Sequence, residues 1–165
     1  MKGRESFRPF APAVLAEHAA DWFDLDHPSP YMLVVAPVRE DRLLPVADEP
    51  TDLAERGAVP RSEIPACTHV DGSARVQTVD DRHPELQRLL RAFHAATGCP
   101  VLVNTSFNRA GEPIVATPAQ ALSSAAAGAV DLLVLGDALV EGAALARWAD
   151  ARAGAAAPRS DEGSD

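Results

Sequence analysis

A serine and an asparagine two residues apart, Ser106 and Asn108, follow an apolar run in the stretch Val-Leu-Val-Asn-Thr-Ser-Phe-Asn-Arg-Ala-Gly-Glu-Pro-Ile-Val-Ala-Thr-Pro of residues 101–118. Asn104 and Thr105 precede them, so four small hydrogen-bonding side chains cluster directly after Val103. An apolar strand ending this way delivers polar groups to the rim of a sheet, where α/β proteins place ligands. If the segment is extended, Ser106 and Asn108 share one face and Phe107 takes the other. Two neutral donors on one face suit a phosphate or a carbonyl oxygen. The same residues also suit a polar turn that satisfies its own backbone.

Two further groups of residues could bind a ligand. Lys2 and Arg4 point the same way if the chain is extended there, and Arg8 follows closely. A compact ammonium beside a planar guanidinium fits a polyphosphate, and it also fits a solvated basic terminus. His69 lies in Thr-His-Val-Asp-Gly at the expected end of a strand, with Arg75 in the next one. It suits a ligand contact or a turn histidine. No histidine pair has the His-x-x-x-His spacing of a helical metal site, so no protein-held metal is expected.

These groups need a frame. The spacing of Val14, Leu15, His18 and Trp22 predicts a helix over residues 12–23, and residues 31–38 read as an apolar strand ended by Pro37. Residues 46–63 read as a long polar loop, and residues 64–70 and 74–79 as a hairpin turning at Asp71-Gly72-Ser73. Leu86, Leu89, Leu90 and Phe93 make one helical stripe over residues 84–96, with Gly98 as its C-terminal cap. Thr117-Pro118-Ala119-Gln120 predicts a capping box that opens a helix to about Ala127. Residues 131–136 read as a strand, and residues 138–140 as its return. From about Ala151 the chain is Ala, Gly, Ser and charge, and a disordered tail over residues 151–165 is expected after a single domain over residues 1–150. Strands and helices alternate with a hairpin between them. That order predicts an α/β or α+β fold with an open twisted mixed sheet flanked by helices.

The bulk properties bound the function. A net charge of −9 over 165 residues argues against nucleic-acid binding, which needs a basic surface. No apolar run approaches the roughly 20 residues of a membrane span. The N-terminal residues have no apolar core of a signal peptide, and Cys67 and Cys99 have no paired spacing. A cytoplasmic protein with reduced thiols is expected.

Four colinear segments carry a resemblance: residues 2–15, residues 29–33 (Ser-Pro-Tyr-Met-Leu), residues 64–79 (Ile-Pro-Ala-Cys-Thr-His-Val-Asp-Gly-Ser-Ala-Arg-Val-Gln-Thr-Val) and the 101–118 stretch. Together, from Lys2 to about Val140, they resemble the C-terminal, YrdC-like domain of the NodU-type carbamoyltransferases. The resemblance implies an open α/β sheet that binds ATP with Mg2+ and carbamoyl phosphate and makes carbamoyl adenylate. Another domain then passes the carbamoyl group to a hydroxyl. It implies that Lys2, Arg4, Ser106 and Asn108 contact phosphate and nucleotide, and that Arg8, His69, Arg75, Asn104 and Thr105 surround the site. Relatives carry a Gly-Pro-Arg-Ala-Leu-Gly segment and a transferase domain upstream, so a separate transferase-domain polypeptide is the expected partner. A module that binds a nucleotide or partner without chemistry is the alternative.

Overall fold

Five consecutive residues, Ala-Pro-Ala-Val-Leu, form strand β1 (Ala11–Leu15), and all five are buried. A strand with neighbours on both sides and packing on both faces takes a continuous apolar run instead of an alternating one. β1 lies inside a four-stranded sheet of order β2-β3-β1-β4, with β2 (Val34–Pro37), β3 (Ser73–Val79) and β4 (Val101–Asn104). It is parallel to β3 and antiparallel to β4, while β2 is antiparallel to β3. The computed structural model, which describes residues 8–128 and 130–156, therefore has the expected mixed open sheet with helices.

The helix expected over residues 12–23 is replaced by β1, a 3-10 turn (Ala16–His18) and the four-residue helix α1 (Ala19–Trp22). Val14, Leu15 and Trp22 are buried as a helix face would be, but the burial comes from the sheet and from α1 separately. Pro12 is tolerated because the parallel register with β3 begins one residue later, at Ala13 opposite Gln77. The expected strand over residues 31–38 is shorter, because Met32 adopts a positive φ of 57° before β2. The expected loop over residues 46–63 contains α2 (Leu53–Ala58), whose N-terminal Asp52 carboxylate accepts from the Ala54 and Glu55 amides at 2.9 and 3.1 Å.

The hairpin is corrected as well. Residues 65–67 form a 3-10 turn, and β3 takes β2 as its antiparallel partner. Side chains divert this backbone from a strand: the Ile64 amide donates to Ser62 Oγ at 3.0 Å, and Thr68 Oγ1 donates to the Ile64 carbonyl at 3.0 Å.

The sheet has two faces. Val14, Ala36, Ala74, Val76 and Val101 pack with Trp22, Phe23, Leu25, Ile64 and Cys67. On the other face Ala13, Leu15 and Val79 pack with Leu90 of α3 (Pro84–Thr97), supported by Leu86 and Leu102. Gly98 ends α3 in the left-handed conformation, φ 76°, as its position predicts.

The chain divides into two compact units, one ending at Thr105 and the other starting at Ser106. In the second, α4 (Pro118–Ala127) opens with the predicted Thr117/Gln120 capping box, and β5 (Leu132–Leu135) pairs antiparallel with β6 (Ala138–Glu141). Helix α5 (Gly142–Ala156) follows and continues past Ala151. Ala125, Leu133 and Leu145 form the core of this unit, with Phe107 packed against them. Among the described residues no helix is long and apolar enough to cross a membrane.

Candidate functional site

Sheet register brings two of the expected residues onto one face. Ala13 lies opposite Gln77 on one side and Leu102 on the other. By alternation, Arg75 and Gln77 of β3 then share a face with Leu102 and Asn104 of β4. Leu90 covers the Leu15–Val79 end of that face, while Arg75 is exposed and Asn104 half-buried. Asn104 Nδ2 donates to Gln77 Oε1, and Gln77 Nε2 donates to the Pro30 carbonyl at 3.2 Å. Gln77 thus fixes the orientation of the Asn104 amide. Sequence inspection passes over it, although its spacing of two from Arg75 is a signal. Thr105 follows β4 directly and is half-buried.

His69 sits in a turn, not at a strand end, because its amide donates to the Ser73 carbonyl at 2.7 Å and the Gly72 amide returns to the His69 carbonyl at 3.0 Å. Gly72 holds the positive φ of 80° this turn requires. Ser73 Oγ donates to Asp71 Oδ1 at 2.6 Å and lies 2.9 Å from His69 Nδ1. A hydroxyl has one proton, and Ser73 gives it to the carboxylate, so Nδ1–H is the donor to Ser73 Oγ. Nε2 is then the acceptor of the neutral ring. The Ser73 hydroxyl and amide hold Asp71 below the usual carboxylate range, which keeps this chain charged at its far end. His69 and Arg8 line one small cavity of about 120 Å³.

In the second unit the predicted Ser-x-Asn pair comes together by a bend at Phe107 and Asn108 instead of an extended segment. Ser106 Oγ donates to Asn108 Oδ1 at 2.7 Å. Asn108 Nδ2 donates to the Glu112 carbonyl at 2.8 Å and to that of Arg109 at 3.2 Å. The Val115 amide closes the loop on the Phe107 carbonyl at 3.0 Å, and Phe107 anchors it to the core of its unit. Ser106 is exposed, and its hydroxyl proton is committed to Asn108 Oδ1. A separate cavity of about 380 Å³ in this unit is lined by Arg109, Glu112, Gln120, Ser123 and Arg152, none of them an expected site residue.

Lys2 and Arg4 lie outside the described residues. Among the described residues no three His, Cys, Asp or Glu side chains converge as a metal site.

The description "Carbamoyltransferase C-terminus" belongs to a family model that matches residues 1–142. The chain is 56% identical over 138 residues to Uncharacterized protein sll1178 of Synechocystis, covering 82% of this chain and 22% of that protein. It is 38% identical over 145 residues to nodulation protein NolNO of Sinorhizobium fredii, covering 86% and 19%. With the 3'-hydroxymethylcephem-O-carbamoyltransferase of Amycolatopsis lactamdurans it shares 41% identity over 116 residues, 70% of this chain and 18% of that enzyme. The chain spans about a fifth of the length of these relatives. On the match over residues 1–142, the chain belongs to the carbamoyltransferase C-terminus family.

Proposed function

We propose that this chain is the adenylate-forming part of an O-carbamoyltransferase. It binds ATP and carbamoyl phosphate and makes carbamoyl adenylate, which a separate transferase domain or polypeptide uses to carbamoylate a hydroxyl. The family match over residues 1–142 carries this proposal, with an O-carbamoyltransferase among the relatives. Loss of phosphate from carbamoyl phosphate to water leaves carbamate. A carbamate oxygen then attacks the α-phosphorus of ATP, and pyrophosphate leaves. The attack concentrates negative charge, which fixed cations stabilise, and Lys2, Arg4 and Arg8 are assigned to it. Ser106 and Asn108 are assigned as neutral donors to phosphate oxygens, with Asn104, Thr105, Arg75 and His69 as further ligand contacts. Positioning and charge do most of this work, with little covalent catalysis.

The test is pyrophosphate release from ATP, dependent on carbamoyl phosphate, by the full chain with its transferase polypeptide. Ser106→Ala is expected to lower the rate about tenfold or more, since a hydrogen bond to a charged group is worth about 1.5–3 kcal/mol. No carbamoyl-phosphate-dependent release, or release undiminished by both Lys2→Ala and Ser106→Ala, overturns the proposal.

A further inference from the structure

The Gln77 amide is turned one way only. Its Nε2 meets the Pro30 carbonyl at 3.2 Å, and a carbonyl oxygen accepts but never donates, so the nitrogen must lie on that side. Pro30 is itself held, because Ser29 before it is pinned to β3 three times. The Ser29 amide donates to Thr78 Oγ1, Ser29 Oγ donates to the Val76 carbonyl and the Thr78 amide donates to the Ser29 carbonyl, each at 2.9 Å. Oε1 of Gln77 is left facing Asn104, and Asn104 has to answer it with Nδ2–H. The two side chains meet across β1, which places only the small Ala11 and Ala13 between them.

These bonds decide what Asn104 offers a ligand. With Nδ2 turned to Gln77, Oδ1 is turned away from it. Among the described residues nothing donates to Oδ1, and none of their buried side-chain oxygens lacks a partner, so Oδ1 is open to solvent. The face around it is open as well. Val35, opposite Arg75 in the sheet, is 55% exposed, and Arg75 is exposed too. Asn104 thus presents a fixed acceptor on the same face as Arg75, which only donates. An acyl group on this face finds a donor for its carbonyl oxygen and an acceptor for an N–H. A carbamoyl group carries both. An acetyl group, with a methyl in place of NH2, leaves Oδ1 unpaired, and a carboxylate or phosphate oxygen is repelled by it.

We propose that Gln77 is a positioning residue: by holding Asn104 with Oδ1 outward, it makes the site select a carbamoyl group through its NH2. The inference rests on the reading of this chain as one that uses carbamoyl phosphate, and it adds the atom that tells this substrate from other acyl phosphates.

The experiment titrates the full chain with fresh carbamoyl phosphate and, separately, acetyl phosphate. Mg2+ and an ATP analogue with a methylene group between the α- and β-phosphates are present, so nothing turns over. The side-chain NH2 resonances of Asn104 are followed by NMR. Wild type is expected to prefer carbamoyl phosphate, with the Asn104 resonances displaced from those of a free asparagine amide. Gln77→Met keeps the side-chain length, removes both hydrogen bonds and frees the Asn104 amide to flip. The resonances then move to the free position, and the preference falls about tenfold. Gln77→Glu restores both, because a carboxylate accepts from Nδ2–H whichever way it is turned, and its charge weighs equally on two dianions. If Gln77→Met fails to fold, Asn104→Ala reads the same loss of preference. A purely structural role lowers both affinities together and leaves the preference unchanged, which overturns the proposal. Wild type that binds neither acyl phosphate overturns it as well. So does a change of preference that appears instead between the nucleotide analogue and its N6-dimethyl form, since the adenine amino group is the other N–H donor. Pyrophosphate release reads adenylation separately. Release by wild type with an unchanged preference in Gln77→Met sinks this inference alone, and the expected preference without release sinks the adenylation reading alone.

Discussion

Leu90→Ala tests how α3 is seated on the sheet. Leu90 has no exposed surface and meets Ala13, Leu15 and Val79, whereas its neighbour Leu89 is 57% exposed. Truncating leucine to alanine removes three carbons, worth about 0.8 kcal/mol each in transfer free energy, or roughly 2.4 kcal/mol. The cavity adds about 24 cal/mol per Å³ that the neighbours fail to refill. Ala13 is too small to swing into the gap, and Leu15 and Val79 are held by sheet register, so about 3–4 kcal/mol is expected in total. Leu89→Ala, one position away, should cost under about 0.5 kcal/mol, because successive helix positions lie about 100° apart. The assay is urea unfolding followed by circular dichroism, comparing midpoints at constant slope. A cost under about 1 kcal/mol for Leu90→Ala, or a larger one for Leu89→Ala, would mean that α3 presents a different face. The uncovered end of the sheet, where Arg75 and Asn104 stand, would then need a different account.

Three further outcomes follow from individual groups. Burial pushes the Cys67 thiol up to about 12, so at pH 8 in native protein Cys99, the half-buried one, should react with a thiol reagent while Cys67 waits for unfolding; equal rates would refute this. The Arg82 guanidinium holds Asp80 at about 2, down from 3.8, so its contribution to stability is complete above pH 3.8 and lost as pH falls through about 2. Asp80→Asn should make the acid limb of the stability curve shallower in that window, and an unchanged slope would refute the pairing. Gly98→Ala should cost about 1 kcal/mol from the positive φ alone, since a Cβ there meets nothing within 4 Å. Gly142→Ala should cost more, since its Cβ would stand 2.7 Å from the Val130 carbonyl oxygen, and a thermal-shift series that reversed the two would refute the argument.

What the sequence made legible follows from how far each signal reaches along the chain. The Thr117/Gln120 box, the Gly98 cap and the return of β5 into β6 are set by residues within one or two turns of each other, and all three form as their spacing predicts. β1 is different. Val14, Leu15, His18 and Trp22 satisfy a helical period, and only the presence of β3 and β4 on either side makes the first two strand residues. No local pattern contains that information. Helix α5 carries no local signature for another reason, since an alanine-rich run has little polar contrast to betray a period. The candidate site divides along the same line. Ser106 and Asn108 lie two residues apart, so their hydrogen bond was within reach of spacing, even though a bend and not an extended segment brings them together. Gln77 was out of reach, because its bond to Asn104 depends on two strand registers meeting at Ala13, joining residues 27 apart. The ion pairs of Glu49 with Arg56 and Arg61 lie between these cases: their members are 7 and 12 residues apart, near enough to read, but in a stretch whose prolines and charges read as loop.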